Sequence, residues 1–205
     1  MEIRNYPMAG LEVRAASETD QTNRAAGYAA VFNSLSHDLG GFREVIAPGA
    51  FTRSLADASS GALNIFALWA HNNAQPLGST QSGKLVLNED ERGLAFELDT
   101  RRFTPAQIDS LTDGELRMSF GFIVRQDEWR KDNDGSIIRT LIDVELPEIS
   151  FVINPAYPDT CAAKRSLENW EASQATEQPV KIPHPHLGEL KRKALSAALQ
   201  ARGRV

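Results

Sequence analysis

The sequence is poor in sulfur: one cysteine, Cys161, among 205 residues. No intramolecular disulfide can form, and no Cys or His stands near Cys161 at metal-ligand spacing, which fits a reducing compartment. The turn before it, Ala156-Tyr157-Pro158-Asp159-Thr160, is acidic and contains proline. Such surroundings do not lower a thiol pKa, so Cys161 reads as a small half-buried residue and not as a nucleophile. Long hydrophobic runs are missing too. Nowhere do 18 apolar residues follow one another, and Met1-Glu2-Ile3-Arg4-Asn5 is not a basic start with an apolar run behind it, so neither a membrane span nor an export signal is expected. Basic charge is in short supply, with 22 Lys and Arg against 27 Asp and Glu. The clustered cationic face that phosphate binding needs is therefore not expected, which removes nucleic acid from the expected partners.

What is there suits one globular domain with a tail: 41% of the residues are hydrophobic and 24% charged. A domain of roughly 150 residues buries about two-thirds of its unfolded surface and needs no metal or disulfide for stability. Short runs of β-branched and aromatic residues recur through the first 155 residues, broken by Gly, Asn and Asp. They predict strands over 11–16, 24–32, 64–70, 84–87, 94–99, 116–125 and 137–146, the number and spacing of a barrel or sandwich. Helices are expected over 48–58 and 104–113; Thr104 is a good N-cap and Pro105 suits the first helical position. The expected fold class is mostly β with flanking helices, α+β. The expected division is a domain over 1–165, a polar Pro-containing linker over 166–186, and a basic helical tail over 187–205 carrying Lys191, Arg192 and Lys193.

Four histidines compete for the role of a general base. His184 and His186 fall in the Pro-rich linker, where nothing would orient an imidazole, and His37 falls in a polar loop. His71 ends the run Ile65-Phe66-Ala67-Leu68-Trp69-Ala70, apolar on both faces as in a buried strand, and Asn72-Asn73 after it suggests a turn. A strand end is where catalytic groups often stand, although a core-edge histidine would look the same.

In Leu116-Arg117-Met118-Ser119-Phe120-Gly121-Phe122-Ile123-Val124 the even positions are apolar and face the core, which puts Arg117, Ser119, Gly121 and Arg125 on the other face. Ser119 is expected to point outward beside Gly121, and an interior strand glycine often marks close approach by a ligand or another backbone. Arg117 and Arg125 would bring positive charge to the same face, useful near an oxyanion. A serine on the polar face of a strand is also an ordinary thing.

Farther on, Ile142, Val144 and Leu146 are apolar at even positions, whereas Ile149, Phe151 and Ile153 are apolar at odd ones. The parity flips at Pro147, which predicts a bulge or strand end that re-aims Glu148 and Ser150. Glu148 could then hold a histidine in one tautomer, as the acid does in a Ser-His-acid triad; Asp143 and Glu145 are the competing carboxylates.

Taken together, the stretches Gly27-Tyr28-Ala29-Ala30-Val31-Phe32, Glu44-Val45-Ile46-Ala47-Pro48-Gly49-Ala50-Phe51, Leu68-Trp69-Ala70-His71-Asn72, Arg117-Met118-Ser119-Phe120-Gly121-Phe122 and 148–157 (EISFVINPAY) closely resemble the prohead protease family of tailed phages. The resemblance runs in order from about Arg24 to Lys164. It implies a fold like that of the herpesvirus assembly proteases, a β-barrel surrounded by helices, with Ser119 as nucleophile and His71 as base. In the herpesvirus relatives the third member is a second histidine. No histidine follows Ser119 here before the linker, so Glu148 is the preferred third member.

The same resemblance implies an endopeptidase without metal or cofactor. Its substrates would be the scaffolding segment of the major capsid protein, other prohead proteins and the protease itself, so that self-association is also expected. It would work inside the assembling prohead in the host cytoplasm, with a tail that targets it there or is removed by self-cleavage. Two rival readings stand beside this one. A non-catalytic scaffold or capsid-interaction protein could use the same fold, and a small-ester hydrolase could use the same serine. Against the second, Gly-x-Ser-x-Gly is absent because residue 117 is Arg.

Overall fold

The computed structural model describes residues 1–6, 12–14, 23–153 and 160–177. The strands are β1 (Glu2–Tyr6), β2 (Glu12–Arg14), β3 (Arg24–Val31), β4 (Arg43–Ile46), β5 (Phe66–Trp69), β6 (Asn72–Ser79), β7 (Leu85–Glu89), β8 (Gly93–Asp99), β9 (Leu116–Lys131) and β10 (Ile137–Ile153). The helices are α1 (Thr52–Ser59), α2 (Pro105–Thr112) and α3 (Thr160–Glu177), and Thr100–Arg102 form a 3-10 turn. The α+β class expected from the sequence is the class observed. One sheet runs β1-β9-β10-β5-β6, with β4 also paired to β10; the other runs β2-β3-β8-β7. No closed barrel is found among the described residues.

The alternation read in the sequence decides which faces meet. Leu116, Met118, Phe120 and Phe122 of β9 are fully buried, as are Leu94 and Leu98 of β8. Rings join the two sheets: Phe151 meets Phe96 and Phe103 edge-on, each at 5.6 Å between centroids, and Phe51 meets Phe120 at 5.5 Å.

Two elements differ from the expectation in ways that matter for the site. β10 does not stop at Leu146 but continues to Ile153, and the pairing with β9 slips between Glu145 and Glu148. Helix α1 bridges that slip. The Ser54 hydroxyl donates to the Val144 carbonyl (2.8 Å) and accepts from the Leu146 amide (3.0 Å), so the ladder groups next to the bulge stay paired. Helix α1 itself starts at Thr52 and not at Pro48. Its first turn is held from outside, Glu89 accepting from the Phe51 amide and the Thr52 hydroxyl.

Strands β1, β4 and β6 carry no readable periodicity and were not expected. In β6, Asn72-Asn73-Ala74-Gln75-Pro76 is largely polar, and its ladder with β5 is irregular. Helix α3 runs on through 168–177, where composition suggested a linker. In it Leu167 packs with Leu39 and Phe42, and Trp170 stacks on Trp129 at 5.4 Å. The chain divides into a unit of Met1–Trp170 and a second from Glu171 onward. The rest of the linker, the basic tail, His184 and His186 lie outside the described residues, as do 154–157 of the last motif.

Candidate active site

The site is built on three neighbouring strands. In register, Ser119 of β9 stands opposite Ser150 of β10, and Gly121 stands opposite Glu148. On the far side of β10, Ser150 and Glu148 stand opposite Leu68 and Phe66 of β5. Directly opposed residues share a face and keep their Cβ atoms roughly 4.5–5.5 Å apart. Glu148 and Ser150, two residues apart, thus project on the face that carries Ser119.

His71 arrives from the end of β5. The turn joining β5 to β6 is Ala70-His71, two positions earlier than Asn72-Asn73, and both residues have positive φ, 52° and 57°. Two consecutive positive φ values mark the two-residue hairpin whose twist matches its strands, and Asn-Gly is its usual sequence. Alanine and histidine pay a conformational cost there, of order 1–2 kcal/mol per residue. Contacts to β10 hold the strained turn: the Ala70 amide donates to the Phe151 carbonyl (2.9 Å) and the His71 amide to Ser150 Oγ (3.2 Å).

This turn places the His71 ring against Glu148. Nδ1 lies 2.7 Å from Glu148 Oε1, with His71 19% and Glu148 5% exposed. A carboxylate can only accept, so Nδ1 carries a proton, and in the neutral ring Nε2 is then the acceptor. Nε2 is buried and has no hydrogen-bond partner among the described residues. The second oxygen of Glu148 accepts from the Ser150 hydroxyl at 2.6 Å. Ser150 therefore clamps both the carboxylate and the histidine backbone, and its own proton is committed. The sequence reading named Ser150 with Glu148 beside the irregularity at Pro147 but gave it no role. The signal was its spacing from Glu148, two residues on and so on the same face.

Gly121 opens the space for the carboxylate. A Cβ added there would lie 2.4 Å from Glu148 Oε1 and 3.0 Å from Met1 Sδ. The close approach expected of an interior strand glycine is made by the acid of the site.

Ser119 departs from the sequence expectation. Its parity is as read, opposite Phe120, but it is fully buried and does not point out to water. β1 lies alongside β9, with Asn5 paired to Ser119 and Ile3 to Gly121. The Ser119 hydroxyl donates to the Arg4 carbonyl at 2.9 Å.

The other candidates are engaged elsewhere. The Arg117 guanidinium folds back onto the carbonyls of Gly114 and Leu116. Arg125, six positions past Ser119 and so about 20 Å along an extended strand, pairs with Glu145 (3.1 Å) and Asp57 (3.5 Å). Asp143 sits 3.2 Å from Arg53. Neither Asp143 nor Glu145 is the carboxylate at His71. Among the described residues no group of His, Cys, Asp and Glu could hold a metal ion, and no helix is long and apolar enough to cross a membrane.

An imidazole oriented by a carboxylate, on a sheet that carries Ser119 and Ser150 on the same face as that carboxylate, is the kind of equipment a serine hydrolase uses. Over residues 10–173, about four-fifths of its length, the chain matches the family model of the caudovirus prohead serine proteases, and it belongs to that family. No curated protein and no solved structure gives a significant match.

Proposed function

We propose that the protein is a serine endopeptidase of capsid maturation in which Ser119 is the nucleophile, His71 the general base and Glu148 the residue that orients the base. The observation that carries this reading is the half-buried His71 ring, whose Nδ1 is held by Glu148 while Nε2 has no hydrogen-bond partner among the described residues. In the reaction Ser119 Oγ bonds to the scissile carbonyl carbon as its proton passes to His71 Nε2. The imidazolium, steadied by Glu148, returns that proton to the leaving amine, and the peptide bond breaks. Water then repeats the sequence on the acyl-enzyme, using the same base. The substrates are the scaffolding segment of the major capsid protein, other prohead proteins and the chain itself, met inside the assembling prohead.

Co-expression with the capsid protein of the same virus tests this. Shortened capsid bands are expected with the natural chain and not with Ser119→Ala, because losing the nucleophile of a unit of this kind costs on the order of 10⁴–10⁶ in rate. Equal processing by Ser119→Ala would remove the serine mechanism. A chain that binds capsid protein and never cuts it would be a scaffold on the same fold.

A further inference from the structure

The free Nε2 and the hydroxyl that should use it are both present, yet they do not meet. Ser119 gives its proton to the backbone of β1 instead. β1 covers the side of β9 away from β10, and among the described residues no strand lies beyond it in the sheet order, so without β1 that side of β9 would be an open edge at Ser119. An open strand edge beside a nucleophile is where an extended peptide adds as one more strand. β1 also lies outside residues 10–173, the part matched to the family.

Beyond its ladder to β9, the strand is held in its seat by the side chains of Arg4 and Glu2. Arg4 reaches the fully buried Glu44 through Nε (2.8 Å) and Nη2 (3.1 Å), and its guanidinium lies over the Phe122 ring at 5.2 Å. Arg139 shares the Oε2 of the same carboxylate at 3.1 Å and also reaches Glu2 of β1 at 3.0 Å. Glu44 is thus a buried anion at the base of a pocket that a guanidinium fills, and the carbonyl of the residue filling it is the one Ser119 touches. The hydroxyl approaches the oxygen of that carbonyl as a donor, which is an inhibitory contact and not an attack on carbon.

We propose that β1 is a built-in inhibitory strand occupying the seat of the substrate peptide along β9, and that the peptide displacing it carries arginine or lysine where Arg4 now sits. The proposal rests on Ser119 being the nucleophile. Displacement of β1 releases the Ser119 hydroxyl to turn to His71 Nε2, and Glu44 then selects the incoming side chain by charge.

The test uses the full chain with a recognition site for a specific endoprotease inserted between Tyr6 and Leu11, folded intact and then nicked. The readout is the rate at which a small fluorophosphonate labels Ser119, located by mass spectrometry, with a thermal melt to confirm the fold. After nicking and removal of the N-terminal fragment, labelling is expected to rise about tenfold or more, since reactivity scales with the fraction of molecules in which the site is open. A synthetic peptide of residues 1–9 is expected to restore the slow rate. The same peptide with Arg4→Lys should do so too, and with Arg4→Ala only at roughly tenfold higher concentration. Should nicking unfold the chain, the intact Arg4→Ala variant replaces it and is expected to label faster than the natural chain.

Ser119 labelling at one rate with and without β1 overturns the inhibitory strand and leaves the serine mechanism standing. Equal inhibition by the Arg4→Ala peptide overturns the basic preference. A folded protein that is never labelled at Ser119, with or without β1, overturns the nucleophile assignment and this proposal with it.

Discussion

Glu148 is the residue whose surroundings say most about the site. It is 5% exposed and its two oxygens face different partners, His71 Nδ1 on one side and the Ser150 hydroxyl on the other, so the carboxylate cannot swing without giving up both. Gly121 makes room for it, because any Cβ there would overlap Oε1. Gly121→Ala is therefore expected to push Glu148 off the imidazole and lower kcat by roughly 10- to 100-fold with little change in KM, as displacements of about 1 Å at a catalytic group do. Steady-state kinetics on a peptide substrate check this, and a change confined to KM would contradict it. At this scale the sequence was informative about identity and less so about environment. Parity in 116–124 and its flip at Pro147 located Ser119, Gly121 and Glu148 on the right faces. Parity cannot tell that a neighbouring strand covers a face, so Ser119 was expected at the surface and is buried.

At the scale of elements, the site depends on a defect in β10 that α1 repairs. The slip between Glu145 and Glu148 turns Glu148 and Ser150 toward the serine face. It would leave the Val144 carbonyl and Leu146 amide short of partners if Ser54 did not bridge them. Ser54→Ala orphans both groups in the interior and is expected to cost about 1–3 kcal/mol in urea or thermal unfolding. A loss within the few tenths of a kcal/mol typical of a surface change would show that the bridge is dispensable.

The 3-10 turn after β8 offers a pH-dependent counterpart. The Arg101 side chain and amide hydrogen-bond Asp99 and hold its carboxyl down, to about 2. Since the unfolded chain takes up that proton first, near the ordinary Asp value of about 3.9, stability falls as pH drops from about 4 to about 2. In Asp99→Asn, which keeps a cap for the turn, the deficit at neutral pH is at most about 1 kcal/mol for so exposed a partner. It is expected to shrink on acidification and vanish near pH 2, as paired denaturant titrations would record; a deficit that grows on acidification would contradict the pairing. The start of helix α2 was legible, since Thr104 caps it and Pro105 is its first residue as expected, while Gln107, which completes the capping box with Thr104, was not singled out. β6 was not legible, because most of its side chains bury little and its ladder is broken at two points.

Across the whole molecule, three strands that are distant in sequence are brought to one place by the long β9–β10 pair, with β5 added parallel to β10. That arrangement brings His71 onto Glu148 and puts Ser119 on the same face as Glu148, although no local pattern links the three. It also explains why motifs taken in order pointed to the family, whereas periodicity alone left His71 and Ser119 as two unconnected candidates. The α+β class followed from the spacing of apolar runs, while the division into two sheets is a matter of long-range pairing that no local run records.

The most direct test of the account is the position and His71-dependence of a covalent adduct. The chain is treated with a serine-directed fluorophosphonate after displacement of β1, digested and mapped by mass spectrometry. The adduct is expected on Ser119, with labelling at least about a hundredfold slower in His71→Ala, in line with the contribution of a general base. An adduct on Ser150, or labelling of Ser119 at the same rate without His71, would contradict it.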